Sequence, residues 1–318
     1  MEIFNHNANI HFLRLRWVSI TVAIILAVSS VVLIATRGLN YGLDFTGGVS
    51  LVVDYTNPVQ TNDVRDALEK AGLGTVVVQS VGGSREVNVR LQPNASMKDA
   101  KGQVNLDKVS QMVMTALQAV RKDASLKSRS SVSAEVGAEL KSDGMVAAVF
   151  VIIGIMAYLW MRFERRFAVS AVLTEVHDTL VTLGILALVQ REFDMTELAS
   201  VLAVIGYSIN DKVVVFDRIR ELFRLARKAE PEEILNRSIN STLSRTIITS
   251  LFTGIAMAAL YFFGGTAVHG FAITMLIGIV VGTLSSIFVA SPILLWLGVS
   301  KKDLMPMTRE NPELARRP

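Results

Sequence analysis

Asp211 stands within a strongly apolar run, between Asn210 and Lys212, and the next apolar run opens on Arg245. A carboxylate carried to membrane depth is costly and ordinarily marks a function. At helical spacing Tyr207, Ser208 and Asp211 share one face, which Arg218 continues, and Ser241, Arg245 and Thr249 form a similar stripe on the following run. The first of these runs ends where the second begins, so Asp211 and Arg245 can sit at comparable depth and pair. Burial favours the acid form of a carboxylate, whereas a neighbouring guanidinium favours the charged form. Arg is the suitable fixed cation because it stays protonated throughout. Such a pair can take a proton from one side and release it to the other if the helices shift between the two events. The alternative is a static ion pair bracing two helices. Lys212 is expected to extend its amine toward the interface.

A third carboxylate, Asp178, recurs with Thr174 and Thr182 at every fourth position, with Glu175 and His177 beside it. Asp178 either bonds a Ser or Thr of a neighbouring helix or joins a polar pathway, and Glu175 and His177 are taken as structural. Catalytic signatures are absent from the sequence. There is no His-Glu-x-x-His and only four histidines occur, no Gly-x-Ser-x-Gly, and no Walker-type Gly-Lys-Ser/Thr loop. Nothing surrounding Asp178 and Asp211 suggests an aspartyl protease. No enzyme activity, metal or cofactor is expected.

Elements that could hold these residues follow from hydropathy. Runs of about twenty apolar residues are what a bilayer core requires of a helix. Six occur: Trp17–Ala35, Gly144–Trp160, Ala168–Val189, Leu198–Phe216, Thr246–Phe263 and Phe271–Leu297. The first is too long for a signal-peptide core and has no clean cleavage site before Arg37, so an uncleaved anchor is expected. Basic residues gather at Arg14 and Arg16, the Arg162/Arg165/Arg166 turn, the Arg218–Arg237 connection and the Lys301–Arg317 tail. By the positive-inside tendency both termini are cytoplasmic and the long segment after the first span is periplasmic. The net charge of +4 reflects that topology and calls for no nucleic-acid partner.

The outer segment, residues 37–143, is too long for a loop and must have its own core. Strands are expected at Gly48–Tyr55, Thr75–Val81, Glu86–Leu91 and Arg129–Val136. Helices are expected at Thr61–Ala71, opening on a Thr or Asn cap, and at Val104–Arg121, with Val109, Met112, Val113, Leu117 and Val120 near one face. That order, β-α-β-β-α-β, fits a ferredoxin-like sheet. The chain has no cysteine, so this α+β domain stands without disulfides. Gly38–Gly48, with Asp44, Gly47 and Gly48, reads as a structured hinge in which Asp44 could bond a neighbouring turn. Asp217–Arg237 reads as an amphipathic helix on the inner leaflet, and Gly278 and Gly282 permit close approach of another helix.

These residues resemble the SecF family, the smaller subunits of the SecD–SecF accessory complex of bacterial protein secretion. Gly42-Leu43-Asp44-Phe45-Thr46-Gly47-Gly48 is similar to the family signature after the first span. The stretches from Gly206 to Glu221 and from Asn236 to Ser250 are similar to its fourth- and fifth-span signatures, and Val176-His177-Asp178 echoes the third. Phe45-Thr46 and Asp217 favour SecF over its sister SecD. One departure is Val132-Ser133-Ala134, where the family often has Val-Gly-Pro.

The resemblance implies a multi-pass inner-membrane protein that pairs with SecD and associates with the SecYEG channel, with SecA and with YajC or YidC. It implies inward proton flow used to move periplasmic domains against an emerging preprotein, with Asp211 and Arg245 on the proton path. Gly38–Gly48 and Ala138–Asp143 would then be hinges. Two rivals are half of a proton-coupled resistance-nodulation-division exporter of lipids or drugs, and a non-transporting assembly factor in which the charges only brace helices.

Overall fold

The computed structural model describes residues 10–74, 76–81, 83–92, 97, 104–226 and 230–300. The tails at 1–9 and 301–318, with the basic cluster expected from Lys301, lie outside them. Among the described residues six helices are long and apolar enough to cross a membrane. They are α1 (Arg16–Arg37), α5 (Ala134–Arg162), α6 (Arg165–Val189), α7 (Met195–Leu225), α8 (Pro231–Phe263) and α9 (Thr266–Ser285), the last continued through a π-turn, Ser286–Ala290, into α10 (Ser291–Trp296). Most of them outrun the apolar segments that announced them.

Between α1 and α5 lie β1 (Asn40–Tyr41), the one-turn helix α2 (Leu43–Thr46), β2 (Gly48–Tyr55), α3 (Thr61–Lys70), β3 (Val76–Ser80), β4 (Glu86–Leu91), α4 (Leu106–Val120) and β5 (Ala124–Val132). The antiparallel sheet has the order β3-β4-β2-β5, as a split β-α-β-β-α-β unit requires. Alternation in β2 buries Val49, Leu51, Val53 and Tyr55 with Val64 and Leu68 of α3 and Val109, Val113 and Leu117 of α4. Val120, expected on that face, is exposed instead. α3 begins at Thr61 with no side-chain cap, whereas Asn105 caps α4 by accepting from Lys108 N at 2.9 Å.

The last strand starts five residues earlier than its sequence suggested. β5 is an edge strand of mostly exposed Ser, Lys and Arg residues, so it carries little apolar signal. The residues expected to finish it begin α5, with Ser133 Oγ accepting from Val136 N at 3.2 Å. Ser133 therefore caps α5 at the Val132-Ser133-Ala134 turn. Ala138–Asp143 lies inside the unbroken α5 and is no hinge, so strand and membrane helix are joined through a single residue.

The outer domain is fixed to one end of the bundle. β1 pairs in parallel with β6 (Glu192–Phe193) in the turn between α6 and α7. Arg90, on the sheet face away from α3 and α4, donates to Tyr41 O at 3.0 Å and Asn40 Oδ1 at 3.3 Å and lies 3.2 Å from Glu192 Oε1. Burial pushes the Glu192 carboxyl above its usual range against the opposing pull of Arg90.

At the far end, Arg220 bridges Glu164 at 2.8 Å and Asp217 at 3.4 Å. The connection expected to lie as a separate helix on a leaflet instead prolongs α7 and α8. Ile219, Leu222 and Phe223 are buried in the bundle core, because these apolar residues continue the buried stripe of the span itself. Asn240 clamps the start of the first span reciprocally, its Oδ1 accepting from Ile10 N and its Nδ2 donating to Ile10 O, both at 2.9 Å.

Candidate functional site

α7 links the glycine-rich segment that follows α1 to the charges in the bundle. Its exposed N–H groups are met by two carboxylates. Asp194 Oδ1 accepts from Thr196 N at 2.7 Å and Glu197 N at 3.1 Å, and Asp44 Oδ2 accepts from Met195 N at 3.1 Å. Each such carboxylate at a helix N-terminus contributes about 0.3–1 kcal/mol. Asp44 thus bonds a neighbouring turn as the sequence suggested, and that turn opens α7. Gly47 has φ 66° and a Cβ there would lie 2.9 Å from Ala134 Cα, so α2 rests directly on the start of α5. Gly48 has φ 121°, and a Cβ would meet Leu91 O at 2.8 Å.

The first polar centre lies between α6 and α7. Lys212 is completely buried, and its Nζ donates to Glu175 Oε2 at 2.6 Å, Asp178 Oδ2 at 2.8 Å and Ser208 Oγ at 2.8 Å. Ser208 Oγ donates to Asp178 Oδ2 at 2.7 Å, and His177 Nδ1 lies 2.9 Å from Asp178 Oδ1. This overturns the expectation that Lys212 reaches an interface. Each residue turns ~100° around a helix, so the residue after Asp211 faces a different neighbour. Glu175 and His177, set aside as structural from sequence, belong to this group. Thr174 and Thr182 do not, since their hydroxyls bond Ser170 O and Asp178 O within α6. Lys212 at i+4 from Ser208, opposite Glu175 and Asp178 at i and i+3, is the spacing that could have revealed the group.

The second centre lies between α7 and α8. Asp211 is buried near the middle of α7, and its Oδ2 makes no hydrogen bond among the described residues. Lys212, Arg245 and the Ser250 hydroxyl are all within electrostatic reach of it. Asp211 and Arg245 are equidistant in sequence from the turn joining their helices, so the expected equality of depth holds. They do not make a direct ion pair among the described residues, and Arg245 lies on the exposed face of α8. α8 is the rim of the bundle: 6% of its apolar window is buried, against 50% for α7.

The supporting residues divide. Tyr207 OH donates to Ser250 Oγ at 3.2 Å, and Ser250 continues to Thr283 Oγ1 at 2.6 Å. Ser208 faces the other centre, and Asn210 is exposed. Ser241 accepts from Arg218 Nε at 3.1 Å, and among the described residues Thr249 Oγ1 donates to carbonyls of its own helix. α9 approaches α7 closely through its glycines. A Cβ at Gly278 would lie 2.2 Å from Val204, and one at Gly282 would lie 2.8 Å from Ser208 Oγ.

Relatives share this architecture along nearly the whole chain. The family profile described as "Protein export membrane protein SecD/SecF, C-terminal" matches residues 112–300, and "SecD/SecF GG Motif" matches residues 32–59. The protein translocase subunit SecF of Pseudomonas aeruginosa is 42% identical over 299 residues, covering 93% of this chain and 94% of that protein. The SecF subunit of Vibrio alginolyticus is 41% identical, covering 96% and 95%. The crystal structure of SecDF, a translocon-associated membrane protein from Thermus thermophilus, is 31% identical with a TM-score of 0.82. It covers 93% of this chain, which spans only 40% of the SecDF chain. A super-membrane-facing form of SecDF gives a TM-score of 0.66. The chain belongs to the SecF family of protein translocase subunits.

Proposed function

We propose that this chain pairs with a SecD-type subunit in the bacterial inner membrane and draws on the proton-motive force to promote late preprotein export through the SecYEG channel. Both termini are cytoplasmic and the sheet domain periplasmic. SecA and YajC or YidC are accessory partners, and lipid surrounds the bundle.

The observation that carries the reading is Asp211, a buried carboxylate without a direct counter-ion, beside an Arg245 on the rim. A SecD-type helix laid against α8 would remove that guanidinium from lipid and enclose a proton-accepting carboxylate between two subunits. Protonation of Asp211 changes its attraction to Arg245 and biases α7 against α8, and two packed arrangements are how a small shift at such a site becomes a large one. The motion reaches the outer domain by two rigid routes. α7 begins on Asp44 of the hinge, and α5 runs into β5 through Ser133. Asp178 supports this path through Ser208. An exporter half is the weaker reading, because relatives of the same length are translocase subunits.

The test is export completion in inverted vesicles loaded with a stalled preprotein and depleted of ATP. A proton-motive force drives completion with the wild-type chain and fails to do so with Asp211→Asn or Arg245→Met at equal assembly. Equal completion by both variants would reject the reading.

A further inference from the structure

The group around Lys212 has a charge count that its geometry does not balance. One ammonium faces two carboxylates, Glu175 and Asp178, at 2.6 and 2.8 Å. An uncompensated charge enclosed at this depth is strongly disfavoured. Asp178 is the better satisfied of the two, accepting from Lys212 and Ser208 on Oδ2 and meeting His177 on Oδ1. Glu175 is buried too, but its Oε1 makes no hydrogen bond among the described residues. One proton, on that oxygen or on the His177 ring beside Asp178, brings the group to neutrality, and the unbonded Oε1 is the position the geometry leaves open for it.

His177 connects this group to a space. Its Nε2 is enclosed and makes no hydrogen bond among the described residues, while the residue borders a groove of about 690 Å³ between α1, α6 and α10. Trp17, Leu173 and Trp296 form apolar walls, while Arg16 and Glu232 are the charged residues that line it. Those two residues pair with each other, from α1 and α8. The other element packed on the group, the end of α9, contributes hydroxyls such as Ser285 and no charge. On the opposite side Asp211 is adjacent to Lys212 along α7.

We propose that Glu175, Asp178 and Lys212 hold one exchangeable proton and form the inner station of the proton route, with His177 as the port to the groove. This rests on the motor reading above, which supplies Asp211 as the outer station. The transfer is proton movement alone. A proton leaving Asp211 crosses to the group through intervening water, and Asp178 yields one to His177 Nδ1, 2.9 Å away; the enclosed Nε2 releases it once water entering the groove reaches that atom. An apolar groove conducts protons only when wetted, so hydration of this groove is the gate. Lys212 is a positioning residue that fixes how many protons the group holds.

The test uses the full chain assembled with its SecD-type partner in vesicles, with two readouts. Infrared spectroscopy at neutral pH is expected to show the carbonyl band of a buried protonated carboxyl, lost in Glu175→Gln. Proton flux is expected to fall on the order of a hundredfold in His177→Gln, a variant that keeps a polar side chain, with a displaced pH profile. A band unchanged in both Glu175→Gln and Asp178→Asn would overturn the proposal, as would wild-type flux and pH profile in both Glu175→Gln and His177→Gln. Full flux in Asp211→Asn would count against the motor reading, and the infrared band would then decide the inner station by itself.

Discussion

Lys212 and Asp211 are neighbours in sequence and opposites in setting. Lys212 faces α6 and finds every partner within the chain, whereas Asp211 faces α8 and finds a guanidinium that remains on the rim. One helix therefore carries a closed centre and an open one. Removing Lys212 from the closed centre strands buried charge, so stability falls along with any proton traffic through it. Altering the open centre, on the proposed motor reading, changes proton flux with little loss of stability.

The largest consequence is expected for Lys212→Met, which strands Glu175 and Asp178. Breaking a buried ion pair costs about 3–5 kcal/mol, to be measured by thermal unfolding in detergent. Arg245→Met, on the exposed face, should change the same melt by less than about 0.5 kcal/mol. Comparable losses in both would erase the distinction. Gly278→Leu comes next, since Val204 occupies the space of even a Cβ. Overpacking of this kind costs about 1–3 kcal/mol, and the melt should show it with Lys212 intact.

Ser208→Ala should cost about 1–2 kcal/mol, because it deprives both Lys212 and Asp178 of a partner. Thr249→Val, whose hydroxyl donates within its own helix, should be close to neutral. The smallest effect lies in the outer domain, where a half-buried pair contrasts with both centres. Arg121 donates to Asp123 Oδ2 at 2.7 Å and holds that carboxyl below its usual range. The folded form thus binds the proton less readily than the unfolded chain. Its stabilising share is present above the ordinary Asp value of about 3.9 and fades as pH falls below it. Asp123→Asn should flatten the acid limb of a circular-dichroism titration.

How much of this was legible in the sequence depends on whether a property is local. Apolar runs announced six helices because lipid imposes length and composition on each run separately. Strand alternation gave β2, β3 and β4, yet β5 was displaced because an edge strand of Ser, Lys and Arg has no apolar period. The depth shared by Asp211 and Arg245 followed from counting along a hairpin. The direction each side chain faces did not, since Lys212 looks like a surface residue until α6 is placed opposite it. Arg90 with Glu192 and Asn240 with Ile10 were also hidden, each joining residues at least a hundred positions apart.

Proton flux in inverted vesicles, comparing wild type with Asp211→Asn at matched assembly and matched melting temperature, tests the open centre most directly. Loss of flux in a variant that melts like the wild type is the predicted result. Full flux, or a loss matched by a melting defect of the size expected for Lys212→Met, would contradict the account and make Asp211 a brace.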